Sequence, residues 1–312
     1  MTQAIAAHPA VTPASPSVEA FYDTTTSTLT YVVSCPTTGR CFIVDPVLDL
    51  DYASGTLTTR AADRVADYIE SHSFTVELIL ETHVHADHLS AAPYLQARLG
   101  GQIGIGQHIT TVQATFAEVF NEDASFARDG SQFNRMFADG ETFHLGTLEC
   151  EAIHVPGHTP ACMAYRVGNA LFVGDTLFMP DGGTARCDFP GGDARTLFRS
   201  VKRLLSHPEE TRIFVCHDYQ PNGRAMAFES SVGAQRRDNI HIHDGIDEQQ
   251  FVELRESRDA GLAMPTLILP SLQVNMRAGL LPGADSDGRF FLKVPLNMFG
   301  GAKLTTLPAD NN

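Results

Sequence analysis

The heptad THVHADH at 82–88, set directly after the short apolar run ELIL at 77–80 and Glu81, constrains this chain more than any other stretch. It puts His83, His85, Asp87 and His88 within six positions. On a helix, at ~100° per residue, His83 and His85 would point ~200° apart. In an extended turn past a strand end, residues i and i+2 share a side. The apolar run reads as a short buried strand, so His83 and His85 face one point just beyond it, where open α/β sheets place their sites. Asp87 stands where the next helix should begin, and either caps that helix or bends toward the same point. Several titrating groups in one turn repel when charged and cost desolvation when buried, unless a cation collects their lone pairs. A metal does so, and imidazole and carboxylate are among its common ligands.

Three more metal-capable residues sit at similar strand ends. IHVPGHTPA places His158 after a Pro-Gly turn, LFVGDTLF places Asp175 after an apolar run and a glycine, and IFVCHDY places His217 after another apolar run. His154 lies inside a strand pattern and reads as a sheet residue. The remaining histidines, His241 among them, have no such setting and read as surface or packing residues.

Along the chain, strand patterns cluster at the front of each half with helical patterns interspersed. That suits sheets packed together with helices outside, a layered α/β sandwich. Residues 1–18 read as a flexible tail, residues 19–312 as one domain, and about 225–312 as a helical insert and extension. The stretch 121–140 reads as a long loop. At 312 residues with 43% hydrophobic content, the chain can build a sizeable core. A net charge of −15 disfavours nucleic acid as the main partner. No apolar run approaches the ~18 residues of a membrane span, and the first residues lack the charged and apolar regions of a secretory signal. Six scattered cysteines without a CxxC pair suit reduced thiols in a cytoplasmic setting. Cys187 and Cys216 flank candidate site residues, and we read both as packing residues, since free cysteine usually behaves as a small buried hydrophobe.

Taken in order, THVHADH, PGHT, GDTLF and CHDY resemble the metallo-β-lactamase superfamily over roughly residues 20–220. That resemblance implies an αββα four-layer sandwich with metal held between the sheets. The superfamily runs many reactions, so the fold alone does not give the chemistry. Alanine before the aspartate in HADH, then RCDF at 186–189, CHDY, and VNMRAG at 274–279, resemble the persulfide dioxygenase (sulfur dioxygenase) family. The wording ETHVHADHLSAAPYL with DGGTARCDFPGGDARTL is most similar to a bacterial branch often labelled β-lactamase-like hydrolase.

The resemblance implies one non-haem Fe(II) per chain on His83, His158 and Asp175, a two-imidazole, one-carboxylate set that leaves positions free for substrate and dioxygen. It implies oxidation of glutathione persulfide by O2 to sulfite and glutathione. His85, Asp87, His88 and His217 would orient and tune the ligands. Arg186 and Arg277 match family motif positions and suit a carboxylate-bearing tripeptide, because guanidinium can donate two parallel hydrogen bonds. Arg186 paired internally with Asp188 is the alternative. Tyr219, two residues past His217, is placed to donate a hydroxyl near the iron or the thiol end. A dimer or tetramer is common in the family. The same residues also suffice for a dinuclear zinc thioester hydrolase of the glyoxalase II type: His83, His85 and His158 about one metal, Asp87, His88 and His217 about the other, with Asp175 shared.

Overall fold

The structure, a computed structural model, describes the backbone of residues 3–8 and all of residues 14–299. Two sheets face each other. The first runs in the order Gln3–His8, Ser17–Asp23, Thr28–Ser34, Arg40–Val44, Thr75–Leu80, Gln102–Gly106, Arg135–Phe137. Its first four strands are antiparallel neighbours, and its last four run parallel. The second has the order Glu141–Leu145, Leu148–His154, Met163–Val167, Ala170–Phe172, Arg212–Phe214, Glu229–Ser231. Only its Ala170–Phe172 and Arg212–Phe214 pair is parallel. A small third sheet joins Thr56–Thr58, Val47–Asp51 and Leu89–Ser90.

The strand period of two sorts the first sheet's side chains into separate cores. Tyr31 and Val33 face inward with Phe42 and Leu80, against Phe143, Tyr165, Phe172 and Phe214 of the second sheet. Val32, Ile43 and Ile79 face outward, under helices. The Tyr31 ring meets Phe172 and Phe214 edge-on at 5.4 and 5.6 Å between centroids. Each such buried ring contributes roughly 1.5–3 kcal/mol.

Helix Arg60–Ser71 covers the outer face because Ala61, Ala62, Val65, Ala66 and Ile69 recur at helical spacing on one side. Helices Ala92–Leu99, Ile109–Val119 and Ile268–Asn275 pack on that same face. Helix Ala194–Leu204 buries Leu197, Val201 and Leu204 against the second core. The expected four layers are therefore present. No helix among the described residues is long and apolar enough to cross a membrane.

Three elements differ from expectation. Within the stretch read as a tail, Gln3–His8 forms an edge strand on Ser17–Asp23. Ser17–Asp23 carries almost no exposed face, so it lacks the alternation that marks a half-buried strand. Arg135–Phe137 adds a short strand within the 121–140 loop. Of the C-terminal extension, residues 300–312 lie outside the described residues.

Candidate metal centre

Four connections converge at one end of the sandwich. The turn after Thr75–Leu80 carries His83, His85, Asp87 and His88, and comes from the first sheet. His158 follows Leu148–His154, Asp175 follows Ala170–Phe172 and His217 follows Arg212–Phe214, all from the second. Leu29 N–H donates to Cys216 C=O at 2.7 Å, and this link across the sheets fixes the His217 segment. Gly157 permits the His158 turn. It holds φ at +138°, and a Cβ there would lie 2.4 Å from the backbone of Leu197.

His83, His85, His88, His158 and His217 are all buried. Their ring nitrogens divide into anchored and bare. Nδ1–H donates to a carbonyl in His158 (Arg186 O, 2.7 Å), His88 (Leu89 O, 3.2 Å) and His217 (Ser27 O, 3.2 Å). Thr82 Oγ1 gives its hydrogen to Asp45 at 2.9 Å, so His83 Nδ1–H donates to that oxygen at 3.1 Å. A carbonyl only accepts, so Nε2 is the ring atom left free in each for a ligand bond or a second proton. Nε2 of His83 and His88 and Nδ1 of His85 are buried without a hydrogen-bond partner among the described residues. Such a group is costly unless a cation joins it.

His83, His158 and Asp175 form the compact set. Asp175 Oδ2 lies 3.9 Å from His83 Nε2 and 3.8 Å from His158 Nε2, and one donor atom from each residue falls within 4.8 Å of the others. Two ligands each ~2.1 Å from one ion are at most ~4.2 Å apart, so this set fits a metal with little movement. His85 falls in a second group with Asp175, His217 and Cys216, whose donor atoms also lie within 4.8 Å of one another. His85 Nε2 is 3.0 Å from Asp45 Oδ1 and 3.8 Å from Glu81 Oε2. His217 Nε2 lies between Asp87 Oδ2 at 3.1 Å and Asp175 Oδ1 at 3.2 Å. His85, Asp87 and His88 make a further group of three with donor atoms equally close.

Burial, and then the neighbouring His85, hold His83 well below the usual imidazole range, so its ring is neutral. Burial and His88 do the same for His85. Burial also opposes charge on His217, but the carboxylates of Asp175 and Asp87 outweigh it and hold the imidazolium up to about 10. Asp175 stays ionised despite its burial because His217 leads the groups that favour its charge. Beneath the turn, burial raises both Asp45 and Glu81, and Glu81 accepts from Ser90 Oγ.

A cavity of about 1090 Å³ opens onto His158, Asp175 and Asp87. Arg186 and Tyr219 line it. Arg186, however, spends its fork on Asp188, with two bonds of 2.6 Å, and on Ala263 C=O at 2.6 Å. Tyr219 stacks on His217, the rings 5.7 Å apart and 10° from parallel. Arg277 is not at the cavity. Its guanidinium is buried 2.7 Å from Glu122 Oε2, donates to Gln273 C=O at 2.6 Å and covers the Phe126 ring. The VNMRAG motif reaches the centre through Asn275 instead. Its amide donates to the carbonyls of His85 at 2.9 Å and His88 at 2.7 Å, and accepts from Ser90 N–H at 2.8 Å. Burial raises both the Cys187 and Cys216 thiols, so each packs as a protonated group. Cys216 Sγ lies 3.6 Å from Asp45 Oδ2. His154 is a sheet residue, its Nε2 bonded to Pro160 C=O at 2.9 Å.

Asp45 and His241 carry no sequence signal for a site, and Asn275 lies in the VNMRAG motif, where Arg277 and not Asn275 was the expected contact. Asp45 ends an ordinary strand pattern, and the partners of the other two are remote in the chain. His241 is buried and lines the cavity.

The model of the family described as "Metallo-beta-lactamase superfamily" matches residues 23–217. A "Probable metallo-hydrolase" of Burkholderia pseudomallei is 52% identical, over 90% of this chain and 99% of that one. A "Beta-lactamase hydrolase-like protein" of Agrobacterium fabrum is 50% identical over 93% of this chain and 67% of its own length. "Glyoxylase B2" of Dictyostelium discoideum is 44% identical over 90% and 97%. The human "Persulfide dioxygenase ETHE1, mitochondrial" is 25% identical over 83% and 87%. Among solved structures, ETHE1 from Myxococcus xanthus superposes with a TM-score of 0.66 at 26% identity, covering 84% of this chain and 99% of that one.

Proposed function

The chain belongs to the metallo-β-lactamase superfamily, and from that premise we propose that it is an Fe(II)-dependent persulfide dioxygenase acting on glutathione persulfide. The observation that carries this reading is the compact His83, His158 and Asp175 set, whose donor atoms lie within 4.8 Å of one another. Two imidazoles and one carboxylate suit a mononuclear non-haem iron with open positions. Bound iron would supply a place where dioxygen and a sulfur donor lie side by side. The likeness to the Myxococcus and human ETHE1 proteins supports the same choice.

The protein's own groups do the rest. The His217 imidazolium holds Asp87 and Asp175 together and fixes the Asp175 carboxylate. Arg186 C=O orients His158 through Nδ1. Phe178, Phe189 and Ala86 line the cavity and keep water from the reactive sulfur. The reaction consumes one persulfide, one dioxygen and one water. It yields one thiol, one sulfite and two protons.

A second reading, a dinuclear thioester hydrolase, draws on the close His85, Asp87 and His88 group and on the bare His88 Nε2. The likeness to Glyoxylase B2 points the same way. Anaerobic purification with metal analysis, followed by oxygen uptake with glutathione persulfide and hydrolysis of a glutathione thioester, separates the two. One iron per chain with oxygen uptake is the expected result. Two zincs per chain with thioester turnover would replace the first reading by the second.

A further inference from the structure

The segments that line the cavity differ in charge. Asp23, Asp49 and Asp51, with Arg60, come from the first sheet and from the Val47–Thr58 hairpin and the residues just after it. Residues 184–186 and 255–267 contribute Arg186, Arg255 and Arg258 and no acid. Two of those three arginines are spent. Arg186 is held by Asp188, and buried Arg255 donates to Asp259 at 2.7 Å and to Thr184 C=O at 2.9 Å. Arg258, in the last turn of helix Glu248–Asp259, is exposed and bonds to no carboxylate among the described residues.

His241 lies beside these arginines, with Arg255 Nη1 3.4 Å from its Nδ1. Its Nδ1 accepts from Thr184 N–H at 2.9 Å, and a backbone N–H can only donate. The ring proton therefore sits on Nε2. Burial, and then the charges of Arg255 and Arg258, keep the ring neutral by pushing it down to about 4. Nε2–H is buried without a partner among the described residues, the state in which a donor gains most from an incoming acceptor. Gly183 lets the ring sit there. Its φ is +79°, and a Cβ would come within 2.1 Å of Nδ1.

A γ-glutamyl tripeptide has two unlike ends. One carries a carboxylate beside an ammonium and suits a wall of mixed sign. The other carries a carboxylate alone and suits a wall of cations. We propose that Arg258 and His241 form the subsite for the lone, C-terminal carboxylate of the thiol substrate, which orients its sulfur toward His158 and Asp175. The inference rests on the glutathione persulfide reading above, and names which end of that substrate lies where.

The test uses the iron-loaded protein and two substrates, glutathione persulfide and the persulfide of the glycyl ethyl ester of glutathione. Calorimetry with the two reduced thiols accompanies the kinetics. The subsite requires the wild type to show a KM about ten-fold higher for the ester, the loss of roughly one charge-assisted hydrogen bond. Arg258→Gln should raise KM for the acid by about the same factor, leave the ester unchanged and keep kcat. His241→Gln should show the same pattern. Arg258 is exposed and bonds to no carboxylate among the described residues, so its replacement leaves the fold intact. Equal losses for acid and ester, or no discrimination by the wild type, overturn the assignment. Normal oxygen uptake with no effect of Arg258→Gln removes the subsite and leaves the reaction standing. Absent uptake, with glutathione binding that Arg258→Gln still weakens, removes the reaction and leaves the subsite. Absence of both overturns both.

Discussion

Asp175 is the one carboxylate in the compact donor set, and it also faces His217. Asp175→Ala should abolish iron retention and oxygen uptake together, as read by metal analysis on folded protein. His217 approaches Asp175 but does not belong to the His83, His158 and Asp175 set. His217→Ala should therefore keep most of the iron while turnover falls ~10–100-fold, typical of a residue acting through a ligand. Loss of all iron from that variant, with intact circular dichroism, would place His217 among the ligands. His241 gives a pH prediction. Its folded pKa of about 4 lies below the ordinary 6.5, so between those values the unfolded chain binds more protons. Stability then falls as pH drops through that window. Melting temperatures at pH 7 and pH 5 should differ more in the wild type than in His241→Gln, and equal differences would deny His241 this part. Residues such as His83, His158 and Asp175 were legible because each follows a recognisable strand. His241 was not, because Thr184, which fixes its tautomer, is 57 residues away. Arg277 was legible as a motif arginine but not as the partner of Glu122.

At the scale of elements, the Pro-Gly turn before His158 is packed against the start of helix Ala194–Leu204. Gly157→Ala drives a methyl into the Leu197 backbone at an unfavourable φ. It should lower both the melting temperature and iron occupancy, while Gly140→Ala, with open space at its Cβ, should cost only backbone strain and no iron. The Arg277–Glu122 pair ties the 121–140 segment to the end of helix Ile268–Asn275. Breaking a buried pair costs about 3 kcal/mol, so Arg277→Ala should destabilise the fold in urea titrations and leave KM for the persulfide unchanged. A raised KM at full stability would return Arg277 to the substrate site. Amphipathic helices such as Arg60–Ser71 were readable from spacing alone. Helix Ile268–Asn275 was not, because Pro270 sits within it. Proline is tolerated in a first turn, where its missing N–H has no intrahelical partner to lose.

Over the whole molecule, the centre joins the two sheets, since His83 comes from one and His158 and Asp175 from the other. A bound ion therefore acts as a cross-link that favours the folded state by mass action. Removing it with a chelator should lower the melting temperature by several degrees (roughly 1 kcal/mol shifts it 2–4 °C in a chain of this class), and added Fe(II) should restore it in a concentration-dependent way. A melting temperature indifferent to chelation would deny the ion this part. The sandwich itself was legible from the order of motifs, whereas the cavity was not, because its walls come from segments as distant as Asp23 and Leu267. The family match ends at residue 217, yet the clasp on the histidine turn, Asn275, lies 58 positions further on. A fragment cut at that boundary would retain His83, His158 and Asp175 while leaving Ser90 N–H and the carbonyls of His85 and His88 without Asn275. Excision of the C-terminal third is thus an operation on the reactive centre itself, and a minimal expressible unit must run past the clasp.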